Sequence, residues 1–283
     1  MEQQTEQRAE VARFCDNWKV PQEPTPIGRH HGLLTEFRRA FREGPPETPL
    51  AMEGPRLVGE ALRSGVQLEK VLFSRRGLEQ QGAKLLPQLS KHTEVAVAED
   101  AVFAGAMDAE HPQGVAALAA WAAAKLEAVF GERALIVAAA GLQDPGNLGT
   151  LIRAADAFGA SGVVALADTV SPFNAKAVRA SAGSLFHLPV AARVTAEDLI
   201  AACRSRGVRL VATGARGGVA PAEAGLEGPV CLMIGQEAAG VPRALLRAAD
   251  ATVSIPIASR VESLNAAMAG AILLFEAGRV RGH

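Results

Sequence analysis

With 283 residues the chain is long enough for about two ordinary domains, and 49% apolar residues supply core for both. No apolar run approaches a membrane span, the polar Met1–Glu10 lacks the apolar centre of a secretory signal, and a formal net charge of −1 confines any nucleic-acid contact to a local basic face. Cys15, Cys203 and Cys231 are odd in number with no C-x-x-C pair, and the six histidines are scattered, so a cytoplasmic protein with neither a disulfide framework nor a metal site is expected.

Residues 1–47 read as an arm with little core of its own, interrupted by Pro21, Pro24, Pro26, Pro45 and Pro46 around one helix at Leu33–Arg42. Gly28–Arg42 carries four arginines against one glutamate. Arg38, Arg39 and Arg42 are therefore candidates for RNA phosphates, with a solvated helix face as the equal alternative. Cys203–Arg209 carries three further arginines, for which the solvated face is preferred. Residues 48–120 alternate helix and strand: a helix over Met52–Gly65, a strand at Leu68–Phe73, a helix near Ala83–Leu89, a strand near Thr93–Ala98, a short helix near Asp100–Ala106 and a last apolar run at Val115–Leu118. The Ala-rich residues 121–133 read as a helix-prone linker.

From residue 134 to 283, strand candidates at Ala134–Ala139, Gly162–Leu166, Arg209–Thr213, Val230–Ile234 and Thr252–Ile257 alternate with helices near Asn147–Phe158, Ala175–Leu185, Ala196–Arg206, Pro242–Ala249 and Leu264–Gly278. That is the pattern of a doubly wound, mostly parallel sheet, whose ligand site lies at the carboxyl ends of its strands. Three polar loops emerge there: Gly141–Asn147, Gly235–Gly240 and Ala258–Asn265. Asn147 and Ser263 are candidate helix N-caps, and Asp144-Pro145 a turn opener. Gly149 and Arg153 share a helix face at i, i+4, which leaves room over Gly149 for the guanidinium. The small residues Ala266, Ala267, Ala269, Gly270 and Ala271 predict a close neighbour for the last helix, because an exposed Gly270 would weaken it by roughly 1 kcal/mol. Gly235–Gly240 is not G-x-G-x-x-G and no G-K-[ST] occurs, so dinucleotide and P-loop readings are weak.

Asn147-x-Gly149-x-x-x-Arg153, Gly235-x-Glu237-x-x-Gly240, and Ile255-Pro256 followed by Ser263-Leu264-Asn265 resemble the three motifs of the SpoU/TrmH family of RNA ribose methyltransferases, in the SPOUT superfamily. Glu53-Gly54 and His111–Val115 resemble the L30e-like substrate-binding domain that precedes the catalytic domain in many members. The resemblance implies a C-terminal trefoil knot, an S-adenosylmethionine cofactor, a homodimer formed through the C-terminal domain with residues borrowed across the subunit interface, and RNA held by the first domain. Ribosomal RNA is the leading substrate. Transfer RNA, a ribosome-associated protein that has lost catalysis, and a generic nucleotide-binding α/β enzyme are the rivals.

It further implies that Gly235, Ile255, Pro256, Ser263 and Leu264 bind the cofactor, with the Thr213-Gly214 turn as a further lining loop. Arg153 is the expected catalytic residue, together with Asn147, Glu237 and Asn265. A matching arginine has been considered a general base, but a guanidinium does not readily lose a proton. Holding a phosphate and stabilising the developing alkoxide is the better role. Glu237 is a candidate to bind basic groups of the site or to orient Arg153. Arg179, with Ser181 and Ser184, resembles a loop near substrate, a plain helix start being the equal alternative.

Overall fold

The computed structural model describes residues 23–237, 239–258, 260 and 262–282. Cys15 and the first half of the expected arm lie outside them. The chain divides into two compact units, one running to Ala122 with Phe173–Ala175, the other comprising Ala123–Pro172 and Lys176 onward.

The first unit is a mixed five-stranded sheet in the order β1-β4-β3-β5-β2, with β1 Thr25–Ile27, β2 Leu50–Glu53, β3 Leu68–Ser74, β4 Glu94–Ala98 and β5 Val115–Ala119. Its helices are α1 Gly32–Glu43, α2 Pro55–Arg63, α3 Arg75–Leu85 and α4 Asp100–Ala104. Residues 25–43 are not an arm. β1 pairs in parallel with β4, and α1 buries Leu33, Leu34, Phe37, Ala40 and Phe41 in the unit's core. Each such large side chain contributes about 1.5–3 kcal/mol of transfer free energy, enough to fix the helix to the sheet. Two other expectations shift. Leu50–Glu53 is strand rather than helix start, and α3 begins at Arg75 because Ser74 Oγ accepts from Gly77 N at 3.0 Å as its N-cap.

The second unit opens with a single 3-10 turn at Leu126–Val129, where a longer helix-prone linker is expected. Its sheet is parallel throughout, in the order β11-β9-β10-β6-β7-β8, with β6 Leu135–Ala140, β7 Gly162–Leu166, β8 Val190–Val194, β9 Arg209–Thr213, β10 Val230–Gly235 and β11 Ala251–Val253. β6 and β10 are buried at every residue, as central strands covered on both faces must be. The helices are α5 Pro145–Ala157, α6 Ala175–Ala180, α7 Ala196–Ser205, α8 Arg243–Ala248 and α9 Ala266–Arg281. Cys203 and Cys231 are free and buried in the same core cluster. Arg204 pairs with Asp250 at 2.7 Å, Arg206 lies 4.6 Å over the Phe130 ring and Arg209 donates to the carbonyls of Ala224 and Gly225, so the second basic cluster serves the fold.

Two glycines set the helix packing. A Cβ on Gly270 of α9 would stand 2.3 Å from Leu151 Cδ1 of α5, which identifies the expected close neighbour. A Cβ on Gly149 would stand 2.3 Å from the Ala177 carbonyl oxygen. The space over Gly149 is therefore filled by the backbone of α6 and is not open to the Arg153 guanidinium.

The last helix is held at its far end by Arg281, which is buried and donates to the carbonyls of Leu226 and Arg133 at 2.8 Å each, of Ala134 at 3.2 Å, and of Gly228. Burial, with Arg133 nearby, pulls its pKa below the ordinary arginine value.

Candidate active site

Adjacent central strands β6 and β10 bring two of the three polar loops side by side, at the point where the strand order reverses. α5 follows the first of these loops. Its N-cap is Asp144, not Asn147: Asp144 Oδ1 accepts from Asn147 N at 2.9 Å and Pro145 occupies the first turn. The other carboxylate oxygen meets Lys176 Nζ at 2.8 Å. These two bonds, Lys176 foremost, lower the Asp144 pKa below its ordinary 3.8.

Freed from capping, the Asn147 side chain turns to the other two loops. Its Nδ2 donates to Glu237 Oε1 at 2.8 Å, and its Oδ1 accepts from Asn265 Nδ2 at 2.9 Å. Glu237 Oε1 also accepts from Ala266 N at 3.2 Å. Asn265, rather than Ser263, caps α9: its Oδ1 accepts from Ala267 N at 3.0 Å and Met268 N at 3.2 Å. Three of the four expected catalytic residues thus form one polar network. Arg153 does not join it; the side chain is exposed on α5, with no hydrogen bond or ion pair among the described residues, and Glu237 orients Asn147 instead.

Beside the network lies a cleft with about 630 Å³ of empty space, its open mouth included. Thr213, Gly214, Gly235, Ile255, Ser263 and Leu264 all line it, while Pro256 is exposed outside the lining. Thr213 ties the strand ends together, its Oγ1 donating to Met233 O at 3.1 Å and accepting from Gly235 N at 3.4 Å. Gly214 N donates to Val253 O at 2.9 Å. Gly235 must be glycine, since a Cβ there would stand 2.2 Å from the Gly240 carbonyl carbon. The Gly240 N–H returns to Gln236 O at 2.8 Å to close this turn. The walls missed by sequence reading include Ile234, Val253, Ala269 and Leu273; strand ends and a helix flank carry no loop signal. A slot with aliphatic walls and backbone-lined rims suits a flat purine.

Of the expected RNA contacts, Arg39 and Arg42 both meet Glu43, at 2.7 and 3.1 Å, and Arg38 Nε donates to Gly105 O at 2.9 Å. Arg179 is half-buried in α6. Among the described residues no group of three His, Cys, Asp or Glu could hold a metal ion, and no helix is long and apolar enough to cross a membrane.

Residues 134–275 match the SpoU rRNA Methylase family. The chain belongs to that family. Residues 46–117 match the MRM3-like substrate binding domain. The 23S rRNA (guanosine(2553)-2′-O)-methyltransferase RlmP of Bacillus subtilis is 33% identical over 224 residues, spanning 79% of this chain and 86% of that one. A 23S rRNA (uridine(2479)-2′-O)-methyltransferase of Streptomyces viridochromogenes is 41% identical over 143 residues, 48% of this chain and 50% of the relative. The AdoMet-bound rRNA methyltransferase of Sinorhizobium meliloti superposes with a TM-score of 0.79 at 34% identity, covering 90% of this chain and 97% of that structure.

Proposed function

We propose that this SpoU-family chain methylates a ribose 2′-hydroxyl of 23S-type ribosomal RNA, using S-adenosylmethionine. The observation that carries the reading is the Asn147–Glu237–Asn265 network at the rim of a cleft with aliphatic and backbone walls. The residues fit the cofactor: Ile255 and Leu264 offer aliphatic faces, and Gly235 lets a backbone rim approach where a Cβ would collide. When bound, the sulfonium supplies an activated methyl group that an oxygen nucleophile displaces in line. The protein's share is positioning. The network fixes the start of α5 against the start of α9, so the loop residues 263–265 keep one geometry over the cleft.

Arg153 acts on the RNA in this reading, holding a phosphate and the developing alkoxide. The exposed apolar stripe of α9, with Met268 58%, Ile272 39% and Phe275 54% accessible at i, i+4 and i+7, supports the homodimer in which one subunit's Arg153 serves its partner's site. The knotted C-terminal segment and a cytoplasmic location follow from the same family reading. Arg39 and Arg42 remain available to phosphate, because ion pairs this exposed are screened by water and hold them only weakly. The two curated relatives differ in target base, guanosine against uridine, so the choice of nucleotide varies among proteins similar to this chain.

The test uses full-length protein, unmodified 23S rRNA and labelled cofactor. Methyl transfer mapped to one ribose is expected; transfer only to tRNA, or cofactor binding without transfer, would overturn the reading. Arg153→Ala should lose about a hundredfold to a thousandfold in rate while keeping cofactor affinity. Arg153→Lys should stay nearly as impaired at every pH, because lysine reproduces the two-pronged grip poorly; activity rising with pH through one ionisation would favour a general base. Mixing Arg153→Ala with Asn147→Ala protomers should restore part of the activity if the site is shared between subunits.

A further inference from the structure

We infer that the groove beside α3 in the first unit binds a single unpaired nucleotide of the RNA. This rests on the rRNA reading above and adds where the first unit grips its substrate. The groove encloses about 1000 Å³ of empty space, open solvent at its mouth included. Arg76, Gln80 and Gln81 of α3, Asp100 at the start of α4 and Gln113 of the 111–114 loop line it.

Its floor is preformed. A Cβ on Gly77 would stand 1.9 Å from the Gly114 carbonyl oxygen, and Gly114 itself has φ +76°. Backbone is thus pressed on backbone, and a side chain at either position would displace the floor. The loop is pinned from both sides, by Ser74 N to Gly114 O at 2.9 Å and Gly54 N to Val115 O at 2.8 Å. Phe103, only 1% accessible, closes the bottom.

Above this rigid floor the functional groups are unspent. The carboxamides of Gln80, Gln81 and Gln113 and the guanidinium of Arg76 have no hydrogen-bond partner among the described residues. Asp100 uses one oxygen to accept from Arg76 N at 3.1 Å and keeps the other. Carboxamides both donate and accept, as the edge of a base requires. A guanidinium plane stacks on a base or grips its phosphate, and a carboxylate accepts from a base amino or imino group. A concave site of this kind takes an unstacked base rather than a duplex. A protein partner is disfavoured, since protein interfaces centre on buried aromatic or aliphatic anchors, and among the described residues none of the exposed large hydrophobic side chains lies in this unit.

The experiment compares wild type with Gln80→Ala/Gln113→Ala and, separately, Arg76→Glu, using the full chain, a naked unmodified 23S rRNA transcript and S-adenosylmethionine. All substituted side chains are exposed, and an unchanged melting temperature verifies folding. RNA affinity should fall about tenfold or more in each variant, KM for RNA should rise with kcat at saturating RNA unchanged, and cofactor affinity should stay the same. Unaltered affinity for naked RNA would overturn the inference. So would a loss of methylation confined to intact ribosomal particles, which would place a ribosomal protein in the groove. Failure of the wild type itself to methylate any rRNA would instead refute the function on which the inference rests.

Discussion

Asn265 donates through Nδ2 to Asn147 Oδ1 at 2.9 Å while its own Oδ1 caps the last helix. One side chain therefore does two jobs that substitution can separate. Asp at 265 keeps a capping oxygen, so the helix should lose less than about 0.5 kcal/mol, but it replaces the donor to Asn147 by an acceptor. Asn147 cannot rotate its amide to compensate without withdrawing Nδ2 from Glu237. Asn265→Asp should melt within a few degrees of wild type yet show markedly weaker S-adenosylmethionine binding by calorimetry. Equal cofactor affinity would reduce the contact to an ornament of the cap.

The two packed glycines should respond differently to alanine. At Gly149 the obstruction is the Ala177 carbonyl, which is backbone, so Gly149→Ala should cost at the upper end of about 1–3 kcal/mol. At Gly270 it is the tip of Leu151, which can turn away, and alanine gains roughly 1 kcal/mol of helix propensity. Gly270→Ala should fall within about 1 kcal/mol of wild type in urea denaturation. A reversed order would contradict the helix contacts described above.

Asp144 has a folded-state pKa below its ordinary 3.8, held there by Lys176 and then by the Asn147 N–H. The carboxylate's stabilisation is thus fully present above the unfolded pKa and is lost as pH falls through the folded one. Because the pair is about half exposed, the contribution is below about 1 kcal/mol. Asp144→Asn should show a small constant deficit in melting temperature well above the ordinary carboxyl pKa, narrowing toward zero as pH falls through the lowered folded-state value. A deficit that grew on acidification would have the wrong sign.

Arg281 offers a stronger perturbation. Methionine in its place keeps the apolar stem but leaves the carbonyls of Leu226, Gly228 and Arg133 without their shared donor. That should cost about 2–4 kcal/mol, and lysine, with one compact ammonium, should recover only part. A pH-independent loss between about pH 5 and 9 is expected because arginine stays charged even when burial lowers its pKa. Equal stability of the Met variant would show that those carbonyls find water instead.

The central strands were legible because four to six consecutive apolar residues, bounded by turns, have few other uses. Of the strands at the sheet edges only β11 was, its Thr252 and Val253 falling within the expected Thr252–Ile257. β1 contains Pro26, which an edge tolerates but a propensity reading rejects, and β8 buries only Val190 and Ala191 fully. α3 was placed too late since Arg75-Arg76-Gly77 carries no apolar period, and its glycine answers to a contact with Gly114 far along the chain. In the site, the motif loops could be read and their proximity followed from strand order. Which polar side chain caps and which reaches across could not: Asp144 and Asn147, or Ser263 and Asn265, are equally good caps in isolation, and only the position of Glu237 decides between them.

The pairing of β6 with β10 has a consequence during synthesis. β6 is complete at Ala140, but the strand that covers one of its edges ends at Gly235. A nascent chain must therefore carry an apolar strand with one open edge while the intervening residues are still being made, the condition under which strands recruit one another between chains. Ribosomes stalled between those two points should hold the second unit in a chaperone-dependent state, and release should become productive only once Gly235 has left the exit tunnel.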